Sequence, residues 1–365
     1  MSSTQENSKK KVSFAAIDPY IETNIVLPVE KSTKDKGHEM IYWGERNNYP
    51  DYLLGLYNNV ATLRAIINGC VDFVVGDDVT TMHNLQDGAL NKHGDSVRDI
   101  VKLVAGDYFR YGGFALEIIR DAAGAVAEIY YCDLRFLRTN KDGNVFYYSE
   151  EFTEKYRRSV NILTYPAFMK DADHPSSILY VKNTHTQVYP APLYAASVKA
   201  CETERSIDTF HLNAINNGFV SSLFVNFNNG EPSDKVKEEI EKDFCEKFSG
   251  AENAARIGFS WNDNRTNATT FEQFKVEDFG SQYDALSKHC RQQIFTAFRA
   301  NPNLFGIPTE SLGFSQEEYE SAFTLFNRTQ IKPVQDLITY TFDKIFGEKN
   351  SITIIPFSMG NKESA

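Results

Sequence analysis

The spacing of apolar positions along the chain divides it into segments of helical period and segments of strand period. Residues 1–38 follow neither: they are polar and lysine-rich around a short apolar island, Ile21 to Val29, and read as a flexible arm. From Tyr42 the texture changes. Trp43-Gly44-Glu45-Arg46-Asn47-Asn48-Tyr49-Pro50 is a loop, and Pro50 suits the first turn of a helix. Leu53, Leu56, Ala61, Leu63, Ile66, Ile67 and Cys70 then recur at helical spacing, predicting one helix that runs on to Val75 and stops at Gly76-Asp77-Asp78. A second helix is predicted from Ser96 to Tyr111 on Val97, Ile100, Val101, Val104 and Phe109, ended by Gly112-Gly113. Two hairpins follow. Phe114 to Arg120 turns at Asp121-Ala122-Ala123-Gly124 into Val126 to Tyr131, and Arg135 to Thr139 turns at Asn140-Lys141-Asp142-Gly143 into Val145 to Tyr148. Ile178 to Val181 is a further strand.

Three long segments come next. Pro192 to Asn217 is a predicted helix closed by Gly218, with Leu193, Val198, Cys201, Ile207, Phe210, Ala214 and Ile215 on its apolar side. A small strand–helix–strand module follows: Phe219 to Phe227, then a helix capped by Ser233 with Val236, Ile240, Phe244 and Phe248 at four-residue spacing, then Arg256 to Trp261. A helix starting near Ser281, with Asp284 at the capping-box position, carries Tyr283, Leu286, Cys290, Ile294 and Phe298. After a loop punctuated by proline and glycine, a last helix begins at Ser315 and runs to Phe342, with a kink expected at Pro333. Ile352 to Ile355 is a short strand. The class is α+β. The two helices that flank the module must run antiparallel, giving a rod with a knob at its tip.

Composition changes this picture little, and charge changes it more. The longest apolar runs are far too short to span a bilayer, and no apolar h-region follows the polar start, so the chain is expected to be made and kept in a cytosol, without membrane association. Cys70, Cys132, Cys201, Cys245 and Cys290 are odd in number, form no C-x-x-C pair and sit among apolar neighbours, as buried free thiols do. A zinc site built from Cys245, Cys290 and a histidine is the rarer alternative. The N-x-S/T matches at Asn264, Asn267 and Asn327 mean nothing without a secretory route. A net charge of −11 argues against a protein that grips nucleic acid, but not against one that DNA slides past, because every neutralised phosphate adds affinity.

Five short motifs, in order over residues 40–345, resemble those of tailed-bacteriophage portal proteins, the head–tail connectors. Trp43-Gly44 with Asn48-Tyr49-Pro50 resembles the start of many of them. Arg110-Tyr111-Gly112-Gly113-Phe114-Ala115-Leu116-Glu117 with Arg120-Asp121 and Gly124 looks like their "G-N-A-Y-x-E…R-D-x-x-G" hairpin, with Gly113 where asparagine is usual. Tyr189-Pro190-Ala191-Pro192-Leu193 is similar to "Y-G-x-S-P-L", and Asn217-Gly218 with Gly250 to Arg256 to "N-G…G-x-x-N-A-G-R". Ile307-Pro308 with Ile331 and Pro333 resembles "g-V-P-P…I-x-P". The resemblance implies an arm (1–38), a wing (39–190 and a kinked helix, 315–350), stem helices (191–218 and 277–300), a clip (219–276), a tunnel loop (301–314) and a short strand with a tail (351–365). It implies a ring of about twelve copies, near 500 kDa at 41.4 kDa each, at one capsid vertex of a virion assembled in the bacterial cytoplasm. The ring would be a conduit for DNA packaging and ejection. Its implied partners are the large terminase subunit, a head–tail adaptor, the major capsid protein or a scaffold, and the double-stranded DNA in its channel.

No enzyme chemistry or cofactor is predicted. There is no Walker A signature and no G-x-G-x-x-G, so the energy of packaging would have to come from another protein. His289 and Cys290 are adjacent on a helix and point about 100° apart, so they cannot act as a nucleophile–base pair. Asp77-Asp78 reads as a solvated turn rather than a metal site, and Asp171, Asp173 and His174 as an exposed loop rather than a ligand cluster. In the tunnel loop, Asn301, Asn303, Leu304, Phe305 and Thr309 would meet the duplex without a cationic grip; the other reading is a plain connection with Leu304-Phe305 buried. Lys288, Arg291 and Arg299 would either form basic rings facing DNA or, the favoured reading, pair with Glu202, Glu204 or Asp208 of a neighbouring stem. On the module's helix, Asp234, Lys235, Lys237, Glu238, Glu239, Glu241 and Lys242 form a polar face, either merely solvated or a docking surface. Two other functions stay open: a small hydrolase or transferase built on residues 96–185, which would need a convergent polar cluster, and a domesticated prophage ring scaffold.

Overall fold

The stretch expected to be one helix forms two, α1 (Tyr49–Asn59) and α2 (Ala61–Val75). Val60 separates them in an extended conformation, φ −112° and ψ 104°, and is itself fully buried. The break lets α2 cross the core on its own axis, burying Leu63, Ile66, Ile67, Cys70, Val71 and Val74. At about 1.5–3 kcal/mol for each fully buried large apolar side chain, this helix is a principal source of folding energy. The computed structural model describes residues 28–35, 38–83, 85, 88–153, 161–170, 174–185, 187–216, 223–227, 232–248, 257–261, 279–306 and 316–358.

Part of the expected arm is a strand. β1 (Glu30–Asp35) pairs antiparallel with β2 (His38–Trp43), and the Glu30 carboxylate accepts hydrogen bonds from the Val188 and Tyr189 amides at 3.0 and 2.8 Å. After α2, β3 (Asp78–Thr81) pairs antiparallel with β12 (Ile352–Ile355), so the predicted C-terminal strand closes onto the end of the first helical layer. α3 (Val97–Tyr111) begins at a full capping box, Ser96 with Asp99, and ends at Gly112 with φ 88°. Chain direction then reverses sharply. A Cβ at Gly112 would collide with the Ala191 carbonyl, and one at Gly113 with the Val181 carbonyl. The glycine where asparagine is usual is therefore required by this backbone.

β4 (Gly113–Arg120) is the centre of a three-stranded antiparallel sheet between β5 (Val126–Cys132) and β9 (Ser176–Lys182). A second three-stranded sheet has the order β6 (Leu137–Thr139), β7 (Val145–Tyr148), β8 (Leu163–Pro166). The last helical segment is α7 (Gln316–Phe326), one π-helical turn (Asn327–Ile331) and α8 (Lys332–Phe346). The π-helical turn lies just before Pro333, where a kink is expected. Proline has no N–H to give and would crowd the carbonyl four residues back. The widened turn, in which the Lys332 amide bonds the Asn327 carbonyl, accommodates it, and Pro333 sits in the first turn of α8. Gln335 is buried and donates to the Val74 carbonyl at 3.0 Å, tying α8 to the end of α2.

A fully buried arginine joins the loop before α1 to the second sheet. Arg138 donates to Asn47 Oδ1 (2.5 Å), the Asn47 carbonyl (2.8 Å) and the Arg135 and Leu137 carbonyls (2.9 and 2.7 Å). Beside it, Trp43 and Tyr189 stack with ring centroids 4.6 Å apart, and the Tyr189 hydroxyl donates to the Ile41 carbonyl.

The remaining described elements are α4 (Val198–Asn216), β10 (Leu223–Phe227), α5 (Asp234–Phe248), β11 (Ile257–Trp261) and α6 (Phe279–Ala297). α4 starts later than expected, after a 3-10 turn at Ala195–Ser197. α6 starts two residues before Ser281, which therefore is not its cap. β10 and β11 pair in parallel, the arrangement that the intervening α5 allows. The predicted stops at Gly218 and Gly250 and the start at Ser315 lie outside the described residues.

Candidate functional site: the paired helices and the loop after them

α4 and α6 pack along each other. Ser197 Oγ donates to the Gln293 carbonyl at 2.9 Å, Glu204 Oε1 lies 3.8 Å from Arg291 Nε, and the Phe210 and Tyr283 rings are 5.1 Å apart. Residue numbers rise on one helix as they fall on the other, so the pair is antiparallel. Near the core the contact is apolar, with Val198, Cys201, Ile207, Cys290 and Ile294 buried. Burial holds the Cys201 thiol up at about 12, so it packs as an un-ionised group. Beyond Ile207 this changes. Asp208 to Asn213 are all exposed, and Phe210, Leu212 and Leu286 are 51%, 58% and 40% exposed. The predicted apolar side of the pair thus outruns the core of its own chain.

The three stem cations have separate fates. Arg291 approaches Glu204 of its own chain, an approach that needs no second subunit. Glu204 is buried, accepts from Thr62 Oγ1 at 2.8 Å, and is pushed above the usual carboxylate range by its burial, with Arg291 opposing. Lys288 is exposed and pairs with Asp284 one turn back, at 3.2 Å. Arg299 ends α6 with φ 51°; its amide bonds the Thr296 carbonyl and the Ala300 amide the Phe295 carbonyl, a Schellman stop in which glycine is the usual residue. Glu202 pairs with Arg205 at 2.6 Å.

The loop after α6 is built around a 3-10 turn, Pro302–Phe305, capped by the Asn301 side chain accepting from the Asn303 amide at 3.1 Å. Leu304 and Phe305 do not project from it. Leu304 is buried, and Phe305, half-buried, lies edge-on to Phe73 and Phe326, so both pack against the connection. Gly69 makes room for Phe305, since a Cβ there would stand 2.7 Å from the ring. Thr309 lies outside the described residues. On α5, Asp234, Lys235, Glu238 and Lys242 are exposed, while the Glu241 side chain is outside the description. Val236, expected on the apolar stripe, is 41% exposed.

The other candidates resolve as structural parts. Asp77 accepts from the Ser358 hydroxyl at 2.7 Å, and Asp78 faces Arg98 at 3.4 Å. His289 contacts Gln293 on the exposed side of α6 while Cys290 is buried. Asp171 and Asp173 lie outside the described residues, and His174 is exposed. Among the described residues no group of His, Cys, Asp and Glu side chains is placed to hold a metal, and no helix is long and apolar enough to cross a membrane. Sequence reasoning missed the Asn47–Arg138 junction. An arginine within a hydrophobic strand was the available signal.

No protein-family model matches the chain, and no curated protein matches it. Solved structures do. The neck of the native gene transfer agent (GTA) particle, computed with C12 symmetry, aligns over 84% of this chain and 84% of its own with a TM-score of 0.53 at 16% identity. The chain shares the fold of that neck protein. The neck of the empty particle, computed with C6 symmetry, gives 0.53 at 14% identity, again over 84% of each chain. An HK97-family phage portal protein from Corynebacterium diphtheriae is 9% identical, with a TM-score of 0.49 over 80% of this chain and 88% of that one.

Proposed function

We propose that this chain is a portal subunit: a structural protein that closes into a ring at one vertex of a virus-like capsid and passes double-stranded DNA during packaging and ejection. The observation that carries the reading is a fold shared across 84% of both chains with the neck of a particle computed with C12 symmetry. The order of the five sequence motifs supports it independently. In this reading α4 and α6 are the stem, the β10–α5–β11 module is the clip, and the helices and two three-stranded sheets are the wing.

The stem's exposed apolar end, with Phe210, Leu212 and Leu286, is then covered by neighbouring subunits. Asn301, Asn303 and Thr309 of the tunnel loop meet DNA as neutral groups. Lys288, Arg291 and Arg299 add modest positive charge, moderated by the carboxylates beside the first two. A strongly negative subunit leaves the duplex free to slide, because few phosphates are neutralised. The α5 face, Asp234, Lys235, Glu238, Glu241 and Lys242, docks the terminase and later the head–tail adaptor, and the wing meets the capsid protein or scaffold. Packaging energy comes from the terminase.

Native mass spectrometry with negative-stain microscopy tests this. A closed ring with a central channel is the expected result, and a ring of a number other than twelve keeps the reading. A monomer at every concentration, also in the presence of capsid protein, overturns it.

A further inference from the structure

A cyclic ring of more than two subunits needs two different, complementary surfaces on each copy, because each meets one neighbour with one patch and the next with another. Two surfaces of opposite charge stand far apart along the α7–α8 segment. The first is a cleft of about 800 Å³ between α8 and the β8–β9 side of the sheets. Phe168, Ile178 and Tyr180 give it an apolar floor, and Lys141, Lys182 and Lys344 surround it against one carboxylate, Asp142. Lys182 is engaged by the Gln187 carbonyl, but Lys141 and Lys344 have no ion pair among the described residues. Tyr340, on the α8 wall, is 62% exposed. In a chain of net charge −11, such a basic apolar cleft runs against the overall charge.

The second surface is the start of α7. Glu317, Glu318 and Glu320 fall within five residues, all exposed, and no lysine or arginine occurs from Gln316 to Phe326. Leu325, two turns beyond Glu318 and so on the same face, is 65% exposed. An acidic helix face carrying one bare leucine matches a lysine-rimmed cleft with an apolar floor and a bare tyrosine in both charge and polarity.

We infer that the acidic face of α7 in one copy docks into the Lys141–Lys344 cleft of the next, making this a subunit-to-subunit contact of the wing. The inference rests on the ring reading and names its partner, a second copy of this chain. It is tested on rings assembled from an equal mixture of 14N- and 15N-labelled chains, treated with a zero-length carbodiimide cross-linker and read by peptide mass spectrometry. Mixed-isotope links joining Lys141 or Lys344 to Glu317, Glu318 or Glu320 are expected. Lys141→Glu/Lys344→Glu should raise the concentration needed for rings about tenfold or more, and Glu317→Lys/Glu320→Lys in the same chain should restore assembly. Rings that form without those links, or whose cleft lysines are protected only when DNA is added, overturn the inference and leave the ring reading intact. Failure of the unmodified chain to form rings at any concentration, also in the presence of capsid protein, overturns both.

Discussion

Asn47 and Arg138, ninety-one residues apart, are joined twice: the guanidinium donates to both the side-chain and the main-chain oxygen of the asparagine. Asn47 Oδ1 also accepts from the Trp43 amide at 3.0 Å, and its backbone has φ 60°. Asparagine suits this position for two reasons, since it tolerates the left-handed region and presents an acceptor. Both Asn47→Gly and Asn47→Ala remove the acceptor, but glycine takes the left-handed region without strain, whereas alanine keeps a Cβ there without asparagine's tolerance of it. Asn47→Ala should be the less stable by about 1 kcal/mol in urea unfolding. Arg138→Met, which leaves several buried carbonyls unpaired, should cost about 3 kcal/mol. Equal stability of the two Asn47 variants would remove the backbone part of this account.

What the sequence disclosed depended on whether the physical cause was local. α3 was legible from end to end because its cap (Ser96 with Asp99), its apolar period and its stop at Gly112 all lie within the segment. The break at Val60 was not, because no glycine or proline marks it and the buried Val60 itself continues the apolar pattern. β1 was hidden for the opposite reason. It is a strand of polar residues with no apolar alternation, held by its pairing to β2 and by Glu30. At the candidate site, the antiparallel helices followed from their flanking the module. The partner of Arg291 did not follow, because sequence cannot tell a carboxylate on the subunit's own helix from one on a neighbour's.

Gly69 and Phe305 form a slot and its occupant. Alanine is the better helix former by about 1 kcal/mol, so Gly69→Ala would stabilise an isolated helix. Here the new methyl meets the Phe305 ring, and the variant should lose about 1–3 kcal/mol. In a Phe305→Ala background the slot is empty and the same change should turn neutral or stabilising. A double-mutant cycle by chemical denaturation checks the reversal of sign. If Gly69→Ala costs the same in both backgrounds, the slot is not what fixes the glycine.

Asp107 is fully buried on α3, with Tyr131 donating to it at 2.8 Å and the Arg110 guanidinium lying 3.7 Å away without a hydrogen bond, and its burial raises its carboxyl from 3.8 to about 7. A carboxyl raised on folding binds its proton more tightly in the native state. Its contribution is therefore fully present below the unfolded value and is lost as pH rises through the folded one. Stability from this group should decline between about pH 4 and pH 7. Asp107→Asn keeps an acceptor for Tyr131 and cannot ionise. The variant should match the parent near pH 4 to 5 in melting temperature and exceed it above pH 7. A gap that stays constant with pH would mean that Asp107 is already charged in the fold.

Gly113 offers a direct exchange with the portal pattern, in which asparagine stands at this place. A side chain here would drive into the Val181 carbonyl and against Pro190, 3.1 Å from the position of its Cβ. Both neighbours belong to the backbone or to a rigid ring, so neither yields by a rotamer change. Gly113→Asn should therefore destabilise the β4–β9 pairing by about 3 kcal/mol or more, visible as loss of soluble folded chain or a lower urea midpoint. An unchanged midpoint would show that this turn relaxes to admit the side chain.

Phe210, Leu212 and Leu286 lie on the outer half of the α4–α6 pair, where their own chain covers about half of each side chain. They contribute little to the monomer's core, so the triple change to serine should leave helicity and melting of the isolated subunit nearly unchanged. Covered by a neighbour in the ring, they would each bury further apolar surface at roughly 25 cal/mol per Å². The triple variant should accordingly remain folded while its ring population collapses to smaller species in native mass spectrometry. Loss of folding with loss of rings would assign these residues to the subunit's own core. Full ring assembly by a folded variant would place the subunit contacts elsewhere on the chain.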